Sequence, residues 1–168
     1  MKKTFQYFVL VLSAAIWISC DDEFTHDIVK DNKPEVPVTF TGATTYGFNP
    51  FYTVSITGDG TIAISMEIPE ASGHSIKQIR KITAGGTGLT PGSLLDATAA
   101  YASNINVNAT TVTFTTTLTE FNGKMSAANK VAAPIAANTF VERAFMFAIT
   151  LDDDTEIIPV QCRIRFVP

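Results

Sequence analysis

Few residues in this chain have side chains suited to acid–base, nucleophilic or metal chemistry. The 168 residues include two histidines and two cysteines. His26 lies in an acidic stretch, and His74 lies in the loop-like sequence Ala-Ser-Gly-His-Ser. The two histidines do not have the spacing of zinc ligands, so we predict no metal site. Ser72, His74 and an unidentified acid could meet in space, but such a triad is defined by geometry that a sequence does not give.

Carboxylates are more numerous, but none forms a recognisable catalytic pair. Glycosidases need two carboxyl groups about 5–10 Å apart in a cleft. Nothing in the surrounding sequence singles out such a pair among Glu67, Glu70 and Glu120. Asp152-Asp153-Asp154 could hold Ca²⁺, which takes six to eight oxygen ligands. The run lacks the spaced acids of a helix–loop–helix site, and a polar turn is the favoured interpretation. We therefore predict a non-enzyme without a cofactor.

One segment has the composition of a binding surface. Residues 46–52 place four aromatic side chains around an Asn-Pro step. On a surface, such rings stack on sugar faces or anchor a partner protein. Inside a small sandwich, they plug one end of the core, and both interpretations stay open. The candidate ligand-binding residues are Tyr46, Phe48, Phe51 and Tyr52.

Apolar residues beyond this segment recur mainly with the period of two that is typical of half-buried strands. The runs 52–56 and 62–68 flank Gly58-Asp59-Gly60 and predict a β-hairpin. We expect a bulged strand over 76–82, where the isoleucines are three apart. The remaining expectations are a loop over 84–93, a helical turn within 94–102, a strand over 111–119, a short helix within 120–132, and a C-terminal hairpin around the three aspartates with strands near 145–151 and 158–166.

This pattern predicts an all-β domain. Six to eight strands without a strand–helix–strand rhythm indicate an antiparallel β-sandwich, immunoglobulin-like or of a related Greek-key type. Cys162 falls in the apolar stripe of the last strand and is predicted to be a buried packing residue. The formal net charge is −4. An acidic chain without a basic cluster repels phosphate backbones, which excludes nucleic acid as a partner.

The first nineteen residues have the layout of a secretory signal peptide. Lys2 and Lys3 form a positive start, an apolar run follows, and a small residue precedes Cys20. The apolar run is shorter than the about 20 residues that a membrane-spanning helix needs. We therefore expect residues 1–19 to be removed, and an uncleaved membrane anchor is the alternative.

The stretch Trp17-Ile18-Ser19-Cys20 resembles a lipobox, the processing site of bacterial lipoproteins. The resemblance implies diacylglycerol on the Cys20 sulfur, cleavage before Cys20, and acylation of the new amine. Trp17 replaces the leucine that is usual at its position. Several acyl chains together hold a protein stably on a bilayer, since each buried methylene contributes about 0.8 kcal/mol.

Three acids, Asp21, Asp22 and Glu23, follow the lipidated position directly. They resemble the acidic export signal of surface lipoproteins of Bacteroidota, which implies display on the outer face of the outer membrane. In proteobacteria, an aspartate at that position favours inner-membrane retention, and a solvated leash is the plain alternative. Residues 20–37 then form an acidic flexible tether, and residues 38–168 form a single β-sandwich domain.

Three functions compete at this point. The favoured one is a lipid-anchored surface module, non-catalytic, that binds glycan or a partner protein as an accessory to an outer-membrane assembly. The second is a structural subunit of a surface layer or fimbria, which predicts an exposed edge strand at residues 111–119. The third is a small hydrolase, which predicts a pocket that joins His74 to a carboxylate and a hydroxyl.

Overall fold

The alternating runs of apolar and polar residues form β-strands, as period-two patterns do when one face is buried. The computed structural model describes residues 36–45, 49–58, 60–96 and 100–168, which belong to one compact unit, Glu35–Pro168. The strands in these residues are β1 (Thr39–Phe40), β2 (Phe51–Ser55), β3 (Thr61–Glu67), β4 (Ile76–Gly85), β5 (Ala102–Ala109), β6 (Thr111–Thr117), β7 (Val141–Leu151), β8 (Glu156–Ile157) and β9 (Cys162–Val167).

The strands form two sheets. The first sheet has the order β1-β3-β6, and both of its pairings are antiparallel. The second has the order β2-β9-β7-β4-β5, with β8 also paired to β7. Its pairings are antiparallel except that β2 runs parallel to β9. This parallel pair departs from the expected antiparallel pattern. It arises because the chain crosses from the first sheet to the second after β1, so that β2 joins the second sheet beside β9.

The core lies between the two sheets and is rich in aromatic rings. Phe40 of β1 lies 6.2 Å from Phe147 of β7, measured between ring centroids. Phe114 of β6 lies 6.1 Å from both Phe145 and Phe147. Each contact joins a strand of the first sheet to β7 of the second. The predicted all-β sandwich is therefore confirmed, while its immunoglobulin-like character stays a prediction.

Strand β7 is the centre of the second sheet and is buried on both faces. Phe145, Phe147, Ile149 and Leu151 face the core, as the sequence predicted. Met146 and Ala148 point to the opposite face and are buried there against Leu94, with Leu89 and Ile158 packed beside them. The loop that follows β4 is held over this face by Gln161, whose Nε2 donates to the carbonyls of Thr87 and Leu89, each at 3.1 Å.

The predicted hairpin around Gly58 and Gly60 is wrong. Strand β2 pairs with β9 in the second sheet, whereas β3 pairs with β1 and β6 in the first. The segment between them is an arch from one sheet to the other, and both glycines have positive φ angles, 77° and 54°. Alternation shows that each strand has one buried face, but it does not show which sheet the strand joins.

The predicted return strand over 158–166 is shorter in the structure. Strand β9 begins at Cys162, and Val160 is 58% exposed instead of lying on the buried face. Pro159 follows Ile158 and has no N–H for a ladder, which separates β8 from β9. The buried positions of Cys162, Ile164 and Phe166 are confirmed.

The predicted bulged strand, edge strand and short helix hold with shifted bounds, whereas the helical turn expected within 94–102 lies earlier, at Pro91–Leu94, inside the predicted loop. β4 contains register shifts between Ile76 and Gln78 and again before Lys81, so three isoleucines spaced three apart are all buried. The predicted short helix is α1, Leu118–Lys124, which starts earlier because the Thr117 side chain caps the Glu120 N–H at 3.1 Å. Short 3₁₀ turns form at Glu70–Ser72, Pro91–Leu94 and Ala127–Asn129.

Candidate functional site

Strand β6 ends the first sheet and is paired, within the described residues, only with β3. Two hydrogen bonds at its ends fix the direction of its backbone groups. The Leu118 N–H donates to the Gly60 carbonyl at 2.9 Å, and the Thr110 carbonyl accepts from the Ile68 N–H at 3.0 Å. The N–H and C=O groups of alternate residues point to the same side of a strand, and the register between β3 and β6 is unbroken. Even-numbered residues therefore bond β3.

The odd-numbered residues of β6 present their N–H and C=O groups to the open edge. All four are threonines: Thr111, Thr113, Thr115 and Thr117. Thr111, Thr113 and Thr115 are also exposed on the outer face of the sheet, and Thr117 is half-buried. The edge thus offers four N–H donors and three C=O acceptors, because the carbonyl of Thr117, the N-cap residue of α1, accepts the first hydrogen bond of the helix.

The other three edges of the sandwich carry features that hinder strand addition. β1 has two residues, and short edge strands are poor templates. The start of β2 is covered by Thr44, whose N–H and C=O bond those of Phe51 at 2.8 and 2.9 Å. β5 is bent by Asn104 and Asn108, with φ angles of 57° and 55°. β6 has none of these features, and it contains no charged residue and no proline.

The inner side of β6 is held firmly in place. Phe114 is buried and packs edge-on against the Tyr101 ring, with 6.1 Å between centroids. The Thr116 hydroxyl lies 2.6 Å from the Tyr101 hydroxyl and donates to Glu120 Oε2 at 2.9 Å. The edge is therefore a preformed template, which lowers the entropy lost when an extended segment binds to it.

Two of the four aromatic candidates can be described, and both are engaged in packing. Phe51 is buried, and Tyr52 is half-buried. The Tyr52 hydroxyl lies 2.8 Å from the Thr41 carbonyl and accepts the Ser65 N–H at 3.2 Å. Burial raises the pKa of Tyr52. Tyr46 and Phe48 lie outside the described residues, so a ligand-binding role for the segment stays a prediction.

A stacked cation that the sequence did not suggest lies next to Phe51. The Arg165 guanidinium lies 4.0 Å from the centre of the Phe51 ring and 4.1 Å from that of Phe140. Glu142 accepts hydrogen bonds from Arg165 at 2.9 Å and from Arg163 at 3.4 Å. The members come from β2, β7, β9 and the segment before β7, and no sequence pattern connects positions so far apart.

The acid that His74 meets is Asp152. Nδ1 of His74 lies 2.9 Å from Asp152 Oδ1 and 4.0 Å from Asp153 Oδ2. The Ser72 hydroxyl donates to the Pro69 carbonyl at 2.6 Å and accepts the backbone N–H of His74 at 3.3 Å. A catalytic serine instead hydrogen-bonds the imidazole. These contacts do not form the arrangement of a hydrolase, and a catalytic role gains no support from them.

The three aspartates form the predicted polar turn between β7 and β8. Asp153 accepts hydrogen bonds from the N–H and the hydroxyl of Thr155, both at 2.9 Å, and Lys77 pairs with Asp154. Ligand atoms of His74, Asp152 and Asp153 lie within 4.8 Å of one another and could hold a metal ion. Histidine spacing along the sequence missed this set, because its members come from two loops.

The remaining side chains that could take part in chemistry or ligand binding are a thiol and a few cations. Cys162 is buried, as predicted, and burial raises the pKa of its thiol to about 12. Two shallow pockets, of about 240 and 480 Å³, are lined by Tyr101 and Lys124 and by Arg80 and Lys81, respectively. Each of these three cations already bonds a protein oxygen, so neither pocket stands out as a ligand site.

Comparisons with known proteins bring no further assignment. No family model, curated protein or solved structure matches this chain. Across the described residues, every helix is too short or too polar to cross a bilayer. The open edge of β6 is therefore the strongest candidate for a functional site.

Proposed function

We propose that this chain is a lipid-anchored, non-catalytic binding module at the cell surface, which takes up an extended segment of a partner protein along β6. The observation that carries the proposal is the uncharged seven-residue edge of β6 with its four outward threonines. In strand addition, main-chain hydrogen bonds supply affinity, and side chains at alternate positions supply specificity. Glycan binding at residues 46–52 is a weaker candidate, because Phe51 and Tyr52 are already engaged in packing.

We also infer that the sandwich is immunoglobulin-like, and the strand order supports this. Immunoglobulin domains place strands A, B, E and D in one sheet and C, F and G in the other. The order β1-β3-β6 corresponds to A-B-E, and the order β9-β7-β4 corresponds to G-F-C. In this scheme, strand D would lie beside β6. The partner segment would then occupy the place of strand D.

Surface location is part of the proposal and has its own support in the sequence. Cys20 is the lipid acceptor of the lipobox-like stretch, and Asp21 and Asp22 follow it. We expect Asp21→Ala with Asp22→Ala to reduce the cleavage of the protein by protease added to whole cells. A matched control is Asp31→Ala in the tether, which leaves the acids behind Cys20 unchanged. Equal cleavage of all three proteins would argue against surface export by these acids.

The edge itself is tested in cells that export the full-length protein. A photo-crosslinking phenylalanine analogue is placed at Thr111, with Glu70, which is exposed on a 3₁₀ turn, as the control position. We expect a discrete protein adduct from position 111 and none from position 70.

The companion variant Thr115→Pro removes an outward N–H without touching the bonds to β3, and we expect it to abolish the adduct. Thr115→Val retains that N–H and should retain the adduct. A thiol reagent that leaves Cys162 unmodified shows that each variant is folded. If position 111 gives no adduct, or if Thr115→Pro leaves it unchanged, the edge is not the binding site.

A further inference from the structure

We propose that the segment best matched to β6 is β6 of a second copy of this chain, paired antiparallel about a two-fold axis at Phe114. This inference rests on the proposed function, because it names the partner of the same edge. It is drawn from three properties of β6: the positions of its outward backbone groups, its nearly palindromic sequence, and its lack of charge.

The outward backbone groups are arranged symmetrically about Phe114. An axis at this residue places Thr113 opposite Thr115 of the second copy and Thr111 opposite Thr117. Thr113 and Thr115 both direct N–H and C=O toward the partner, so this pair exchanges two hydrogen bonds. In the pair of Thr111 and Thr117, the Thr117 carbonyl is taken by α1, so one hydrogen bond forms, from the Thr117 N–H to the Thr111 carbonyl. The four pairs that symmetry generates contain about six hydrogen bonds.

Other registers pair fewer of the four outward residues. Moving the axis to the midpoint between two residues places an outward residue opposite one that bonds β3, and the ladder fails. Moving it by a full residue, to Thr113 or Thr115, leaves one outward threonine beyond the end of the pairing. The register centred on Phe114 therefore uses the whole edge.

The side chains suit the same register. Read in either direction, the strand Thr-Val-Thr-Phe-Thr-Thr-Thr has threonine at every outer-face position. The pairing sets threonine against threonine on that face, and cross-strand threonine pairs are favourable. Like charges that face each other across two strands are destabilising. An edge of identical strands must therefore be uncharged or self-complementary, and β6 is uncharged.

The pairing would join two three-stranded sheets into one six-stranded sheet with the order β1-β3-β6-β6-β3-β1. Such an interface is isologous, which is the commonest kind in homodimers. The two copies of β1 then lie five strand spacings apart across this sheet, roughly 24 Å at about 4.8 Å per spacing. A tether of residues 20–37 spans at most about 60 Å, so both lipids can reach one membrane. Confinement to that membrane raises the effective concentration of the second copy.

The experiment uses the crosslinking analogue at Thr111 in the full-length protein in its own cells. We expect an adduct at twice the mass of the mature chain, which contains the same peptides from both copies. The double variant Thr113→Lys with Thr115→Lys places ammonium groups opposite each other across the axis and should abolish this adduct. The matched variant Thr113→Lys with Thr115→Glu places opposite charges together and should retain it.

Each outcome is decisive. An adduct of another mass would refute pairing between copies while supporting the proposed function, because the edge would still bind a protein. The absence of any adduct would refute both. A doubled mass that survives in the Lys/Lys variant, or that is lost equally from both double variants, would overturn the register centred on Phe114. Both pairs of substitutions lie at exposed outer-face positions, so the folded core is unaffected.

Discussion

The Tyr52 hydroxyl should contribute measurably to the stability of the domain, because it replaces a direct bond in the first sheet. Ser65 accepts the Thr41 N–H at 3.0 Å, as expected for two residues that face each other across β1 and β3. The second hydrogen bond of this pair, which would run from the Ser65 N–H to the Thr41 carbonyl, is not direct. The Ser65 N–H donates to the Tyr52 hydroxyl at 3.2 Å, and that hydroxyl lies 2.8 Å from the Thr41 carbonyl. A residue of the second sheet thus completes the ladder of the first.

The magnitude follows from the groups that Tyr52→Phe would leave without this partner. The ring stays in place, so little apolar burial is lost. One backbone N–H and one carbonyl lose a hydrogen bond, and each hydrogen bond contributes a net of about 0.5–1.5 kcal/mol to stability. Since both groups lie near a sheet edge, we expect a loss of about 1.5 kcal/mol in the free energy of unfolding. For a domain of this size, that corresponds to a decrease of about 5 °C in Tm.

The assay is urea unfolding of purified protein, monitored by circular dichroism, with the same measurement on Tyr101→Phe. The Tyr101 hydroxyl bonds one side-chain hydroxyl, that of Thr116, at 2.6 Å, so its removal should cost less. We expect the midpoint to fall in both variants with an unchanged slope, and to fall further for Tyr52→Phe. A change below about 0.3 kcal/mol for Tyr52→Phe, smaller than the usual net value of one hydrogen bond, would refute the argument.

Three further predictions concern single groups. Cys20→Ala should leave an unprocessed precursor without membrane lipid label, and normal labelling would exclude the lipobox interpretation. Cys162 should resist thiol reagents at pH 8 until the protein unfolds, because burial raises its pKa to about 12; rapid labelling of folded protein would contradict this. The hydrogen bond from His74 lowers the pKa of Asp152, so this pair stabilises the fold above the ordinary aspartate pKa and loses its effect as pH falls through the lowered value. In His74→Ala, carboxyl NMR titration should show the Asp152 pKa rising, and an unchanged pKa would exclude the pairing.

Most strands were predictable because at least one face is buried, and alternation records burial. Strand β5 was not predicted, because none of its residues is fully buried. The bulged strand β4 and the buried stripe of β9 could be read for the same reason. The partner of each strand could not be predicted from the sequence, and the arch at Gly58 shows why. Two alternating runs around a glycine turn have the same pattern in a hairpin as in two strands that pack face to face.

The candidate site was harder to predict because it depends on which strands pair, and not on the pattern within one strand. The four threonines of β6 could be predicted to form a strand, but their open edge exists because β5 pairs with β4 in the other sheet. The pairing of His74 with Asp152 joins residues 78 positions apart, and the stack of Arg165 on Phe51 and Phe140 joins three separate segments. Such contacts leave no periodic signal in a sequence.

The position of β9 between β2 and β7 has a consequence for the order of folding. The last strand fills the gap between the first strand of its sheet and the central one, and the Ile56 N–H bonds the Val167 carbonyl at 2.9 Å. The second sheet cannot close until β9 is available. Because β2 and β9 are far apart along the chain, closure depends on a non-local contact, and such contacts slow the folding of a β domain.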